Sequence, residues 1–130
     1  MKTIAIDGNK YDIECNALTY VQYKKVFKKG IFSDMEIIKN YLVIQTLKTD
    51  ELKEKYPKMS EEEINAQVGS YMNNYIDDFI EVVTKIAYIL IYSANENIED
   101  YENWLRKIKN FKIDDDWVVE VTELAVDCFC

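Results

Sequence analysis

The feature that most constrains the fold is an apolar stripe of helical spacing near the middle of the chain. From Ile76 to Leu90 apolar residues recur three and four positions apart, which is the period of an amphipathic helix. After Lys85 the segment is apolar on every side, as expected for a helix covered by protein. The apolar run Ile86–Tyr92 is far shorter than the ~20 residues that a membrane-spanning helix needs. We therefore predict a central helix around which the rest of the chain packs.

The first fifteen residues are the only part of the chain in which apolar and polar residues alternate. Ile4 and Ile6 precede the turn signal Asp7–Lys10, and Tyr11 and Ile13 follow it. Alternation on both sides of an Asp-Gly pair is typical of a β-hairpin. We predict a hairpin over residues 1–15 and helices from residue 16 to residue 130.

Polar capping residues divide the helical part into segments. Asn16 caps a first helix that Gly30 stops, and Ser33 begins a second helix that runs to about Leu47. Residues 49–59 are polar and contain Tyr56-Pro57, which predicts a flexible connection. The later start and stop signals are the capping box at Ser60, a break at Asn95–Asn97 and the acidic run Asp114–Asp116. The prediction is a single domain over 1–130 of the mainly α (α+β) class: an N-terminal β-hairpin followed by about five to six packed helices.

Charge and composition exclude several classes of function. The net charge is −8, and residues 61–100 alone carry −8 while residues 1–30 carry +3. Such a balance repels phosphate backbones and acidic membrane surfaces, so we expect neither a nucleic-acid nor a membrane partner. The chain has no histidine, and therefore lacks the commonest general base and metal ligand. We expect no enzyme activity and no catalytic residue.

The cysteines and the N-terminus bear on cofactors and location. Cys15, Cys128 and Cys130 are an odd number, so reduced thiols are favoured over a disulfide framework. Too few metal ligands accompany them for a zinc site, and no glycine-rich phosphate loop is present. We expect no metal and no cofactor. Asp7 follows too few apolar residues for a signal peptide, which predicts a cytoplasmic protein.

Ten tyrosines are the most informative part of the composition, because tyrosine is enriched at protein interfaces as well as in aromatic cores. Tyr41, Tyr75 and Tyr101 lie on apolar stripes, which favours core packing. Tyr88 and Tyr92 lie off the main stripe of the central helix, where core packing and partner contact are equally favoured.

The last predicted helix is apolar on more than one face. Trp117, Val121 and Leu124 lie on its main face, whereas Val119, Val126 and Phe129 lie off it. A terminal helix has difficulty burying all of them, which leaves one side for self-association or for a partner helix. We predict a partner surface made of six residues: Tyr88, Tyr92, Trp117, Val121, Leu124 and Phe129.

Segments along nearly the whole chain resemble the tail assembly chaperones of long-tailed phages and prophages of Gram-positive bacteria. The stretches that carry the likeness are Met1–Ile4, Glu14–Tyr20, Ile76–Tyr88, Ala94–Ile98 and Asp116–Ala125. They are packing and capping segments with no catalytic signature. The resemblance implies a non-enzymatic protein that binds the long helical tape measure protein, keeps it soluble and helps to bring tail tube subunits to it. It also implies action in the host cytoplasm and absence from the mature virion.

Three other functions stay open. Another small phage structural or interaction protein would share the helical, tyrosine-rich character. An acidic nucleic-acid mimic would use residues 61–100 to occupy a basic groove, and its binding would collapse with salt. A small enzyme acting through Cys15 or Cys128 is disfavoured because neither cysteine has a histidine partner.

Overall fold

The computed structural model describes residues 2–130, which form one antiparallel β-hairpin and six helices. The predicted fold class, mainly α (α+β), is confirmed. In chain order the elements are β1 Lys2–Ile6, β2 Asn9–Ile13, α1 Ala17–Phe27, α2 Ile31–Lys55, α3 Glu61–Met72, α4 Ile76–Ala94, α5 Tyr101–Lys107 and α6 Asp116–Phe129.

The hairpin closes through a two-residue turn. Asp7 and Gly8 have φ values of 50° and 82°, the left-handed pair that a type I′ turn requires and that Asp-Gly adopts readily. The turn pairs Ile6 with Asn9 and Ile4 with Tyr11. This register places both isoleucines on the face that is buried against the helices.

The central helix predicted from the apolar stripe is α4. It contacts β2, α1, α2, α5 and α6, and its side chains are buried on all sides between Ile86 and Ile91. The main core therefore forms around α4, as an all-round apolar segment requires.

Helix α1 begins as predicted and ends earlier. The Asn16 side chain accepts a hydrogen bond from the Leu18 N–H at 3.0 Å, and the Thr19 hydroxyl accepts from the Asn16 N–H at 3.1 Å. The helix ends at Phe27, and the following residue, Lys28, has a left-handed φ of 63°. The prediction that Gly30 stops α1 was wrong, because Gly30 is instead the residue before α2.

Helix α2 is longer than the sequence predicted. Ser33 lies inside its first turn, and the helix continues to Lys55 through most of the segment expected to be a flexible connection at 49–59. The extension is stabilised by Leu52, which packs against α3 in a small separate cluster with Ile64, Val68 and Met72. The helix ends where Pro57 disfavours a helical conformation of the preceding residue, and Tyr56 has φ −128° and ψ 74°.

Tyr41 and Tyr101 pack against the main core, as predicted. Tyr75 does not, because it lies in the turn between α3 and α4 and 37% of it is exposed. Among residues 2–130, no helix is both long enough and apolar enough to cross a membrane.

Candidate partner-binding groove

The structure places most of the predicted partner surface inside the molecule. Tyr88, Trp117, Val121 and Phe129 are buried, whereas Tyr92 and Leu124 are half-buried. The α6 residues are buried because α6 packs its main face against α4, α2 and β1, whereas Tyr88 of α4 packs against Phe27, Tyr101 and Trp104. These six residues do not form one exposed surface, and their contact with a partner stays a prediction.

Aromatic contacts contribute to the burial of Trp117 and Phe129. The Trp117 ring meets the Phe111 ring edge-on at 5.7 Å. The Phe129 ring meets the Tyr20 ring edge-on at 5.4 Å. Although Phe129 lies off the main face of α6, α1 covers it, so its expected exposure is not observed.

An open groove lies on the other side of α6, between α6 and α2. Its volume is about 740 Å³. One wall is α2, the other wall is α6, and α4 and the segment before α6 contribute between them. The apolar and neutral residues that line it are Tyr41, Leu42, Gln45, Phe79, Ile113, Val118, Val119, Thr122 and Val126.

The α6 wall has the spacing of a helix-binding surface. Val118, Thr122 and Val126 are four positions apart, so they lie one above the other along the helix. They span two turns, or ~12 Å at 1.5 Å per residue. The Thr122 hydroxyl donates to the Val118 carbonyl of the same helix at 2.8 Å, so this polar group is already satisfied. Val118 and Thr122 are buried at the base of the groove, whereas Val126 is half-buried and Val119, beside this row, is 49% exposed.

The opposite wall is held in place by an aromatic pair. The Tyr41 ring of α2 stacks on the Phe79 ring of α4, with centroids 4.1 Å apart and planes 22° apart. Burial raises the pKa of the Tyr41 phenol above its ordinary value, so Tyr41 stays neutral at physiological pH. The pair fixes α2 against α4 and presents an uncharged aromatic wall to the groove.

The rim of the groove is acidic. Asp114, Glu123 and Asp127 line it, and no lysine or arginine does. Within residues 2–130, none of these three carboxylates lies within 4.0 Å of a lysine or arginine nitrogen. The groove therefore combines an apolar interior with negative charges that no neighbouring cation neutralises.

The cysteines show no arrangement for chemistry. Cys15, Cys128 and Cys130 are free thiols. Burial, together with a hydrogen bond to Cys15, raises the pKa of Cys128 to about 11, so this thiol stays protonated at neutral pH and is a weak nucleophile. In the part of the chain that the structure describes, no group of three or more cysteine, aspartate or glutamate side chains is placed to hold a metal ion.

Sequence reasoning found part of this groove and missed the rest. Val119 and Val126 were expected off the main face of α6, and both line the groove. The sequence favours core packing for Tyr41, which packs against the core and also lines the groove. The sequence feature that indicates the groove is the wide apolar region of α6, which covers more of the helix than one buried face requires.

No protein-family model, curated protein or solved structure matches the chain.

Proposed function

We propose that the protein is a tail assembly chaperone that holds an apolar helical segment of a phage tape measure protein in the groove between α2 and α6. The observation that carries the proposal is the open apolar groove itself, since a monomer rarely leaves such a surface uncovered without a binding role. The resemblance to tail assembly chaperones supplies the identity of the partner. Recruitment of tail tube subunits is part of the same proposal.

The shape of the groove favours a helix over a small molecule. The α6 wall, with residues four positions apart, suits the binding of an amphipathic helix through residues at i, i+3, i+4 and i+7. A small-molecule site usually also has several polar groups that converge to fix the orientation of the ligand. Here the one hydroxyl in the α6 wall, that of Thr122, is bonded within its own helix.

The size of the groove suits a chaperone that releases its client. A wall of about two helical turns buries far less than the ~800 Å² per partner of a standard stable interface. Binding of this extent is weak and reversible, so a long tape measure protein would be covered by several copies at once. Each copy hides apolar surface from aggregation until tube subunits replace it, and the net charge of −8 adds solubility to the complex.

Co-expression tests the proposal. We expect the tape measure protein encoded beside this chain to be insoluble alone and soluble with the wild-type protein. Val119→Glu places a charge in the groove and should abolish the effect. Val43→Glu is the matched control, because Val43 is 55% exposed on α2 and does not line the groove.

Both variants should keep the wild-type circular dichroism spectrum, since each changes an exposed valine. Solubilisation that survives Val119→Glu, or that is lost equally in both variants, would remove the groove from the proposed function.

A further inference from the structure

The charge pattern of α6 is unusual for a helix that serves packing alone. Its charged residues are Asp116, Glu120, Glu123 and Asp127, and no lysine or arginine balances them. Asp116 lies in the first turn, where a carboxylate interacts favourably with the helix dipole. Asp127 lies in the last turn, where a carboxylate is unfavourable by ~0.3–1 kcal/mol.

Asp127 does not stabilise α6 through the helix dipole, but it lies on the rim of the groove. Asp127 and Glu123 are four positions apart, so they share one side of α6, and like charges at that spacing repel each other weakly. Both residues are exposed and both line the groove rim. Asp114 adds a third carboxylate at the end of the groove where α6 begins. Carboxylates thus lie on the rim at both ends of the α6 wall.

We propose that the occupant of the groove is an amphipathic helix whose apolar stripe is flanked by lysine or arginine, which ion-pair with Asp114, Glu123 and Asp127. The inference rests on the function proposed above and specifies which segments of the partner this chain binds. Apolar side chains of the partner helix contact Val119 and Val126, the two valines of the α6 wall that are not buried, and its flanking cations meet the rim. An acidic or neutral helix of the same apolar pattern gains only the apolar contacts.

We expect the three rim carboxylates to affect the choice of partner and the association rate more than the total binding affinity. Exposed ion pairs contribute ~0–1 kcal/mol each, and charges at the edge of an interface mainly steer association and suppress wrong partners. Three such carboxylates produce a preference that depends on salt, because the Debye length falls from ~10 Å at 0.1 M to ~3 Å at 1 M.

Two synthetic helical peptides test the inference. Both carry the same leucine stripe at i, i+3, i+4 and i+7; one is flanked by lysines and the other by glutamates. We expect the full chain to bind the lysine peptide at least about tenfold more tightly at 0.1 M NaCl. The preference should fall below about threefold at 1 M NaCl. Equal affinities at low salt would overturn the inference.

Reversing the charge of two rim residues tests whether the rim causes the preference for the lysine peptide. The double variant Glu123→Lys and Asp127→Lys should bind the glutamate peptide more tightly than the lysine peptide. It should be at least as stable as wild type to heat, because lysine suits the last turn of a helix. The control, Glu54→Lys with Glu96→Lys, makes the same change in net charge at exposed residues outside the groove and should keep the wild-type preference. Loss of the preference in the control as well would show a general charge effect and overturn the inference.

The outcomes separate this inference from the proposed function. If wild type solubilises the tape measure protein, Val119→Glu does not, and both peptides bind equally, the charge inference fails alone. If the tape measure protein stays insoluble while the lysine peptide is preferred, the assignment of the tape measure protein fails and the selectivity of the groove stands. A wild-type dimer that Val119→Glu converts to a monomer would place a second copy in the groove and overturn the inference.

Discussion

At the scale of single residues, Asp7 connects the N-terminal hairpin to the segment between α5 and α6. Its carboxylate accepts hydrogen bonds from the Lys109 N–H at 2.9 Å and from the Asn110 side chain at 3.1 Å. These bonds hold the hairpin turn against the segment between α5 and α6. The backbone hydrogen bond from Lys109 is the main reason that the pKa of Asp7 lies below its ordinary value.

A lowered pKa in the folded state gives a defined pH dependence. The stabilisation by Asp7 is fully present above the unfolded pKa of about 3.9 and is lost as the pH falls through the folded value. Asp7→Asn keeps the turn, because asparagine also adopts positive φ, but it removes the charge. We expect the urea midpoint of Asp7→Asn to be lower than that of wild type at pH 7, and the deficit to become smaller as the pH is lowered towards 2.

The matched control for Asp7 is Asp50→Asn, which changes an exposed carboxylate on α2. Its midpoint should differ little from that of wild type at both pH values. A deficit of Asp7→Asn that is the same at pH 7 and pH 2 would contradict the assignment.

A buried hydrogen bond joins α1 to α2. The Tyr23 hydroxyl donates to the Asp34 carboxylate at 2.5 Å, and the Lys29 ammonium lies 3.8 Å from the same carboxylate. Both Tyr23 and Asp34 are buried. The carboxylate therefore depends on Tyr23 for its close donor.

Removing that donor should destabilise the fold. We expect Tyr23→Phe to lower the free energy of unfolding by ~1.5–3 kcal/mol, the range for a hydrogen bond to a charged group. Tyr56→Phe, which removes the hydroxyl of an exposed tyrosine, should change it by less than ~0.5 kcal/mol. Urea unfolding measures both values, and equal losses in the two variants would show that the bond is not the cause.

At the scale of elements, α3 is bound less firmly than α4. Only Ile64, Val68 and Met72 of α3 are buried, and they pack with Leu52 of α2 in a cluster apart from the main core. Local stability follows the amount of buried apolar contact. The α3 region should therefore open without unfolding of the central helix.

Hydrogen exchange tests this difference. We expect amide protection in α3 to be at least about tenfold lower than in α4, which corresponds to ~1.4 kcal/mol in opening free energy. Leu52→Ala should increase exchange in α3 and leave α4 unchanged. Equal protection in α3 and α4 would mean that the two clusters unfold as one unit.

The elements differ in how well they could be predicted from the sequence alone. The hairpin and α4 follow from period and turn chemistry, which are local properties. The end of α2 does not, because its last turns are stabilised by Leu52 packing on α3, a tertiary contact. The sequence predicts that Gly30 stops α1, because glycine suits the position just after a helix. In the structure, Lys28 adopts the left-handed conformation two residues earlier.

At the scale of the whole molecule, the groove exists because three distant segments meet. Tyr41 and Leu42 come from α2, Phe79 from α4, and Val119 and Val126 from α6. Each segment shows an apolar stripe in the sequence, but periodicity cannot tell which side of a stripe its neighbours leave open. For that reason the partner surface was predicted at Tyr88, Tyr92, Trp117, Val121, Leu124 and Phe129, and none of these six residues lines the groove.

At the same scale, part of the acidic charge of the chain lies along the groove. The sequence shows an acidic second half, and the structure places three of those carboxylates along one apolar groove. Under the proposed charge selectivity, these carboxylates bear on the choice of partner.

The central claim is that the groove between α2 and α6 contacts the tape measure protein, and site-specific photocrosslinking in co-expressing cells tests it most directly. A benzophenone side chain at position 119 lies on the groove, and one at position 43 lies outside it at similar exposure. The account predicts a crosslink to the tape measure protein from position 119 and none above background from position 43. A crosslink from position 43 alone, or a crosslink from position 119 only to a second copy of this chain, would contradict it.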